Sequence, residues 1–277
     1  MSAEWSWELL RAGAFRLDGG SMFGIVPKIL WSRLMRPDEQ NRIQLQTNCL
    51  LLDNGAHKVL IETGYGGKWD AKDRKMFHLE PRTVLDALQE AGVAPAEIDL
   101  VIVTHLHFDH AGGLTHIGDD GQPISSFPNA SVVSQCTEWA DALANRSTMR
   151  KSYLPSHLEP VADQMRLLDG EEEILPGLLV RPNPGHTWGH QAVQFRDGEG
   201  TVCFPGDLMP TAHHVGLAYN MAYDVLPHTN SRTKVELLER AAREDWRLVI
   251  DHEPGDPVVR VRRGGNRPDQ FILVPDA

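Results

Sequence analysis

The segment Leu100-Val101-Ile102-Val103-Thr104-His105-Leu106-His107-Phe108-Asp109-His110-Ala111-Gly112-Gly113 decides how this chain is read. Residues 100–104 are apolar and β-branched, the composition of a central strand buried on both faces. That strand runs straight into four potential metal ligands within six residues: His105, His107, Asp109 and His110. Side chains two apart on extended backbone point the same way, so His105 and His107 can converge on one ion. If the chain then turns into a helix, Asp109 and His110 project elsewhere and can reach a second ion. Three imidazoles and a carboxylate at the mouth of an apolar strand would lose solvation for nothing unless a cation offset the cost. Metal binding is therefore expected.

One segment cannot fill two coordination shells. Further ligands should be His or Asp residues at strand ends near Gly or Pro. His186 lies in Pro184-Gly185-His186-Thr187. Asp207 lies in Phe204-Pro205-Gly206-Asp207, directly after an apolar run, and His252 in Val249-Ile250-Asp251-His252, directly after another. Each is a weak signal alone. Their shared strand-then-ligand context makes the set strong.

Working outward, residues 43–52 and 57–62 read as strands joined at Asn54-Gly55, a strong hairpin signal. Residues 82–91 have helical spacing and stop at Gly92. Strands are expected at 131–134, 165–168, 178–182, 192–196, 201–204 and 248–250, with helices at 137–145 and 233–244. Residues 1–40 read as irregular. The apolar stretch 22–35 is expected as core cover, a substrate-pocket wall or a dimer contact. The halves look loosely alike, without a short repeat. This order fits a two-sheet sandwich with helices outside, and no linker separates independent domains.

The set His-x-His-x-Asp-His, Gly-His-Thr, strand–Gly-Asp and late strand–His resembles the metallo-β-lactamase superfamily of hydrolases. The resemblance covers about residues 43–260. It implies an α/β fold of the αββα four-layer sandwich type, with residues 1–42 as an N-terminal extension and 43–277 as the domain. It also implies that His105, His107 and His186 hold one metal, that Asp109, His110 and His252 hold a second, and that Asp207 bridges them. True β-lactamases of the superfamily usually carry Arg or Cys where His110 stands. Within the superfamily, residues 206–214 and the N-terminal apolar extension look most like quorum-quenching lactonases and the related methyl parathion hydrolases. The superfamily commonly has Asp-Thr-Gly after an early strand. Here it is Glu62-Thr63-Gly64, which could alter ligand orientation without abolishing binding.

Two divalent ions are expected, zinc first, with iron, manganese or cobalt as substitutes. A hydroxide bridging such ions forms near neutral pH, because they lower the pKa of bound water to about 7. It would open a lactone such as an N-acyl-homoserine lactone, with Asp109 shuttling the proton. No Gly-x-Ser-x-Gly elbow is present. His213, His214 and Tyr223 are expected to line the pocket, with Tyr223 available to an oxyanion. His57, His78, His116, His157 and His228 are read as structural. Alternatives are a phosphotriester or aryl ester hydrolase, a glyoxalase-II-like thioester hydrolase, a mono-iron persulfide dioxygenase, and a non-catalytic metal-binding module.

Composition agrees. At 41% hydrophobic and 23% charged over 277 residues, the chain can bury an ordinary core. A net charge of −11 argues against a nucleic-acid partner. The basic cluster Arg260, Arg262, Arg263 and Arg267 reads as a solvated strand edge. Cys49, Cys136 and Cys203 are too scattered for a disulfide framework and read as small hydrophobes. No stretch has the roughly 18 apolar residues of a membrane span, and residues 1–10 do not read as a signal peptide. A cytoplasmic enzyme acting on a small-molecule ester or lactone is expected, with a homodimer plausible from the resemblance.

Overall fold

Alternate residues of the buried strands face different layers. The computed structural model describes residues 4–147, 149–265 and 269–276. In it Leu51, Leu60, Val101 and Val132 pack outward against Val84, Ala87 and Leu88 of the helix Val84–Glu90. Their neighbours Leu50, Leu52, Val59, Ile61, Ile102 and Val133 face inward and meet Val193, Phe195, Val202 and Phe204 of a second sheet. That sheet turns Ala192, Cys203 and Leu248 outward onto Leu237, Leu238 and Ala241 of the helix Pro227–Glu244. The period-two pattern thus yields helix, sheet, sheet, helix, the expected αββα sandwich. Each fully buried Leu, Val or Phe contributes about 1.5–3 kcal/mol.

The first sheet runs Ser6–Asp18, Arg42–Asp53, Lys58–Ile61, Leu100–Ile102, Ser131–Gln135, Met165–Leu168. Its first two pairings are antiparallel and the rest parallel. The second runs Phe271–Pro275, Val258–Arg263, Arg247–Val249, Gly200–Phe204, Gln191–Asp197, Leu178–Pro182, Glu172–Leu175. Within it, Gly200–Phe204 and Arg247–Val249 are parallel. Three strands therefore deliver their C-terminal ends to the site: Leu100–Ile102 from one sheet, and Gly200–Phe204 and Arg247–Val249 from the other. Gln191 ties the sheets there, its N–H donating to Thr104 O at 2.9 Å and its side-chain amide to Val103 O at 2.7 Å.

The Asn54-Gly55 turn forms as expected: Asp53 pairs with Lys58, Gly55 has φ +82°, and Asn54 Oδ1 accepts from the Ala56 and His57 N–H groups. The described part of residues 1–40 is not irregular throughout. Ser6–Asp18 is a strand of the first sheet, paired along Arg42–Asp53. A bulge between Arg11 and Ala14, with Gly13 at φ +129°, breaks its alternation. Glu172–Leu175, Val258–Arg263 and Phe271–Pro275 are further strands. Val258–Arg263 lies inside its sheet rather than at an edge. Arg260 and Arg262 pair with Asp245, and Arg260 also with Asp276. Arg267 and residues 1–3 lie outside the described residues. Cys49 and Cys203 are buried as expected, whereas Cys136 is exposed at a helix start. Among the described residues no helix is long and apolar enough to cross a membrane.

Candidate metal centre

His107 keeps extended backbone (φ −63°, ψ 158°) and caps the one-turn helix Phe108–Ala111. His105 and His107 therefore stay on the strand's continuation, while Asp109 and His110 swing round the turn. Thr63 holds that turn: its N–H and hydroxyl both donate to His110 O, at 2.9 and 2.6 Å. Gly113 lets the two segments touch, since a Cβ there would stand 2.2 Å from Thr63 O. Asp207 follows Gly206, whose φ of +57° suits glycine and turns the chain sharply after Phe204.

The segments converge. Ligand atoms of His105, His107 and His186 lie within 4.8 Å of one another, as do those of His110, Asp207, Asp251 and His252. His186 Nε2 is 3.0 Å from His107 Nδ1, and His252 Nε2 is 3.2 Å from His110 Nε2. Asp207 lies between the groups, Oδ2 3.1 Å from His186 Nε2 and Oδ1 3.3 Å from His252 Nε2. Asp109 approaches the second group, Oδ2 3.6 Å from His252 Nε2 and Oδ1 3.9 Å from His110 Nε2.

This donor set fits divalent cations. Among the described residues, Nε2 of His105 and Oδ1 of Asp207 are buried without a hydrogen-bond partner. Such orphans are costly unless something else satisfies them. His186 Nδ1 is 2.9 Å from Asp224 Oδ1, and His252 Nδ1 is 2.9 Å from Gln46 O. With those nitrogens donating, the Nε2 lone pairs point into the cluster, the outer-shell arrangement of a metal-binding histidine. Nitrogens about 3 Å apart come close to the roughly 3.3 Å edge of a tetrahedral site with Zn–N of 2.0–2.1 Å.

Electrostatics gives the same answer. Burial, with His110, His107 and His186 nearby, drives the imidazole of His105 well below its ordinary value. Burial also opposes charge on His110, but Glu62, Asp207 and Asp109 outweigh it and raise this group well above normal. For His252 burial loses to Asp251 and Asp207, and the value rises to about 9. Burial pushes the Asp251 carboxyl up to about 8. Burial likewise disfavours the charge on Asp207, but His186, His252 and His110 hold its carboxyl well below the usual range. Asp207 thus favours positive charge at the centre of the cluster, which protons on His110 and His252 supply in the absence of a cation and a bound cation can supply in their place.

A cavity of about 570 Å³, its mouth included, opens onto His107, Asp109, His186, Asp207 and His252. Its other walls are mostly apolar, among them Leu17, Met22, Phe77, Phe108, Met149 and Met221. The stretch 22–35 contributes through Met22, so part of it is a cavity wall. Tyr223 also lines the cavity, and burial raises its phenol.

His213 and His214 are not brought to the wall. His213 is half-buried on the turn Ala212–Val215. His214 is fully buried, stacked on Phe23 with ring centres 5.0 Å apart, and its nitrogens meet Thr211 Oγ1 and Met22 O at 2.8 Å each. It props Met22 from behind. Burial lowers its imidazole to about 3. Below the unfolded value near 6.5 the unfolded chain takes up a proton that native His214 refuses, so stability falls as pH falls. Between pH 7 and 5 this one group should remove about 2 kcal/mol. Urea unfolding of wild type and His214→Gln at both pH values checks it; equal pH dependence in the two proteins would contradict it.

Residues 42–252 match the family model described as the metallo-beta-lactamase superfamily. The chain belongs to that superfamily. Its His/Asp clusters are groups that could hold metal. It is similar to an N-acyl homoserine lactonase of Bacillus thuringiensis, 27% identical over 54% of this chain and 58% of that one. A probable metallo-hydrolase of Mycobacterium tuberculosis is 27% identical over 60% of this chain and 57% of its own. The chain thus spans little more than half the length of these curated relatives. Among solved structures, a probable metal-dependent hydrolase from Staphylococcus aureus superposes with a TM-score of 0.88 at 28% identity, covering 100% of this chain and 99% of that one. A dizinc quorum-quenching lactonase in complex with a product superposes at 0.78 with 18% identity, covering 100% and 96%, and shows a shared fold.

Around this candidate centre in the metallo-beta-lactamase fold, four buried carboxylates lie outside the expected ligand set. Glu62, in the departure from Asp-Thr-Gly, reaches the site: Oε1 accepts from Thr104 N–H at 2.8 Å and Oε2 lies 3.5 Å from His110 Nδ1. Asp251 adjoins His252, and adjacent residues on extended backbone point opposite ways, so sequence gives it no place beside His252; the structure brings both to the cluster. Asp224 and Glu138 carry no local signal and meet the site through tertiary contacts. His190 stands 5.2 Å from His105, ring to ring, with Nδ1 on Asn183 O.

Proposed function

We propose that this protein opens lactones, N-acyl-homoserine lactones being the leading candidates. The observation that carries the reading is the cavity, with a dense His/Asp cluster at its base and an apolar wall above. A polar ester ring joined to an aliphatic chain matches that division. Here His105, His107 and His186 would hold one divalent cation, Asp109, His110 and His252 a second, and Asp207 would touch both. Zinc leads, with iron, manganese and cobalt as substitutes. Cations so bound polarise a carbonyl and lower the pKa of water to about 7. Tyr223 would donate its hydroxyl to the oxygen on which charge develops. Asp109 would carry a proton to the leaving alkoxide. The apolar wall would exclude bulk water and align the chain.

Phosphotriester or aryl ester hydrolysis is the second reading. The stacked pair Phe77 and Phe108, 5.3 Å between ring centres on the cavity wall, favours it by offering an aromatic leaving group a surface. Turnover of an acyl-homoserine lactone beside an aryl phosphotriester, with metal-loaded and metal-stripped enzyme, separates the two. Metal-dependent ring opening with preference for the lactone is expected. Activity on the phosphotriester alone would break the lactonase assignment.

The outer face of the stretch 22–35 exposes Ile25, Ile29, Leu30 and Leu34. A homodimer contact there accounts for such a patch. Light scattering should give twice the monomer mass, and Ile29→Glu should halve it; a monomeric wild type would remove the contact.

A further inference from the structure

Glu138 lies in the first turn of the helix Cys136–Leu143, with no exposed surface. A carboxylate is costly there unless its oxygens are used, and they are. Oε1 accepts from the Leu106 N–H at 2.9 Å and from the Tyr153 hydroxyl at 3.0 Å, and Oε2 accepts from the Thr187 hydroxyl at 2.6 Å.

Each partner adjoins a candidate ligand. Leu106 stands between His105 and His107. Thr187 follows His186. The Tyr153 ring packs on the His107 imidazole, 4.9 Å between centres. Leu106 extends from the first sheet, and Thr187 belongs to the connection between two strands of the second. Gly189 makes the approach possible: a Cβ there would stand 2.2 Å from Glu138 N. This carboxylate bonds to the side of the cluster holding His105, His107 and His186, and the turn carrying His110 is held instead by Thr63.

We infer that Glu138 is the positioning residue of the first metal position, clamping the His105–His107 segment to the His186 loop so that three imidazoles meet. It rests on the metal-centre reading above and goes beyond it by giving the two positions separate supports. The charge is not what the clamp needs. A glutamine can accept from Leu106 and Tyr153 through Oε1 and donate to the Thr187 hydroxyl through Nε2.

The test is zinc competition against a chromogenic chelator on the full chain, following each ion's release separately. In wild type two ions are expected. Glu138→Ala should weaken one of them by about 10–100-fold, the usual effect of losing an outer-shell partner, while the other holds its wild-type midpoint. Glu138→Gln should restore most of the loss. If the Ala variant does not fold, Thr187→Val removes one bond and should weaken the same ion by about 2–10-fold. Unchanged midpoints in the Ala variant, equal weakening of both ions, or a Gln variant as weak as Ala would each overturn the inference. A wild type that takes up no zinc would instead sink the metal-centre reading, and this one with it.

Discussion

Asp207→Ala should lower both metal content and turnover, the rate by more than the roughly 10–100-fold that losing an outer-shell partner costs. Asp207 is the group that approaches both imidazole clusters, with one oxygen 3.1 Å from His186 Nε2 and the other 3.3 Å from His252 Nε2. Its loss takes an anion from both positions at once. It also leaves His186, His252 and His110 without the one carboxylate that approaches all three. Metal analysis beside kinetics reads the result. A folded variant with wild-type stoichiometry and rate would remove Asp207 from the site.

Stripping the cations should lower the melting temperature sharply. Ligand bound to the native state at 1,000 times its Kd stabilises by about 4 kcal/mol. Two such sites would contribute about 8 kcal/mol together, which in a chain of this size is on the order of 15 °C. The structure gives this expectation its physical basis. Among the described residues, His105 and Asp207 keep buried polar atoms without hydrogen-bond partners in the cluster, a cost that a cation removes. Scanning calorimetry before chelation, after it, and after zinc is returned checks the value. An unchanged melting temperature throughout would mean that the cluster is not a cation site.

Both the layer order and the convergence of these His and Asp side chains could be read from local pattern. Residues 100–113 disclose a buried strand, a turn and four donors without any tertiary knowledge. Gly-Asp and Asp-His after apolar runs do the same for Asp207 and His252. What stayed hidden depends on contacts between distant segments. The Ser6–Asp18 strand escaped because its bulge at Gly13 shifts the alternation that would reveal it. Asp224 and Glu138 look like ordinary surface carboxylates in sequence, and only folding places them beside His186 and Leu106. His214 misled for the opposite reason. Its place after the Asp207 strand suggests a pocket residue, but stacking on Phe23 and two satisfied nitrogens make it a prop. Periodicity records which layer a residue faces, not which distant side chain it will meet.

The cluster draws its donors from both sheets, His105, His107 and His110 from beyond Leu100–Ile102 of one, and His186, Asp207 and His252 from connections of the other. A cation seated there would act as a rivet through the seam. Slippage of one sheet over its partner, which an oily interface alone would tolerate, would then be felt as misalignment of donor atoms. Substitutions buried along that seam, far from any substrate, would thereby gain a mechanical route to the chemistry.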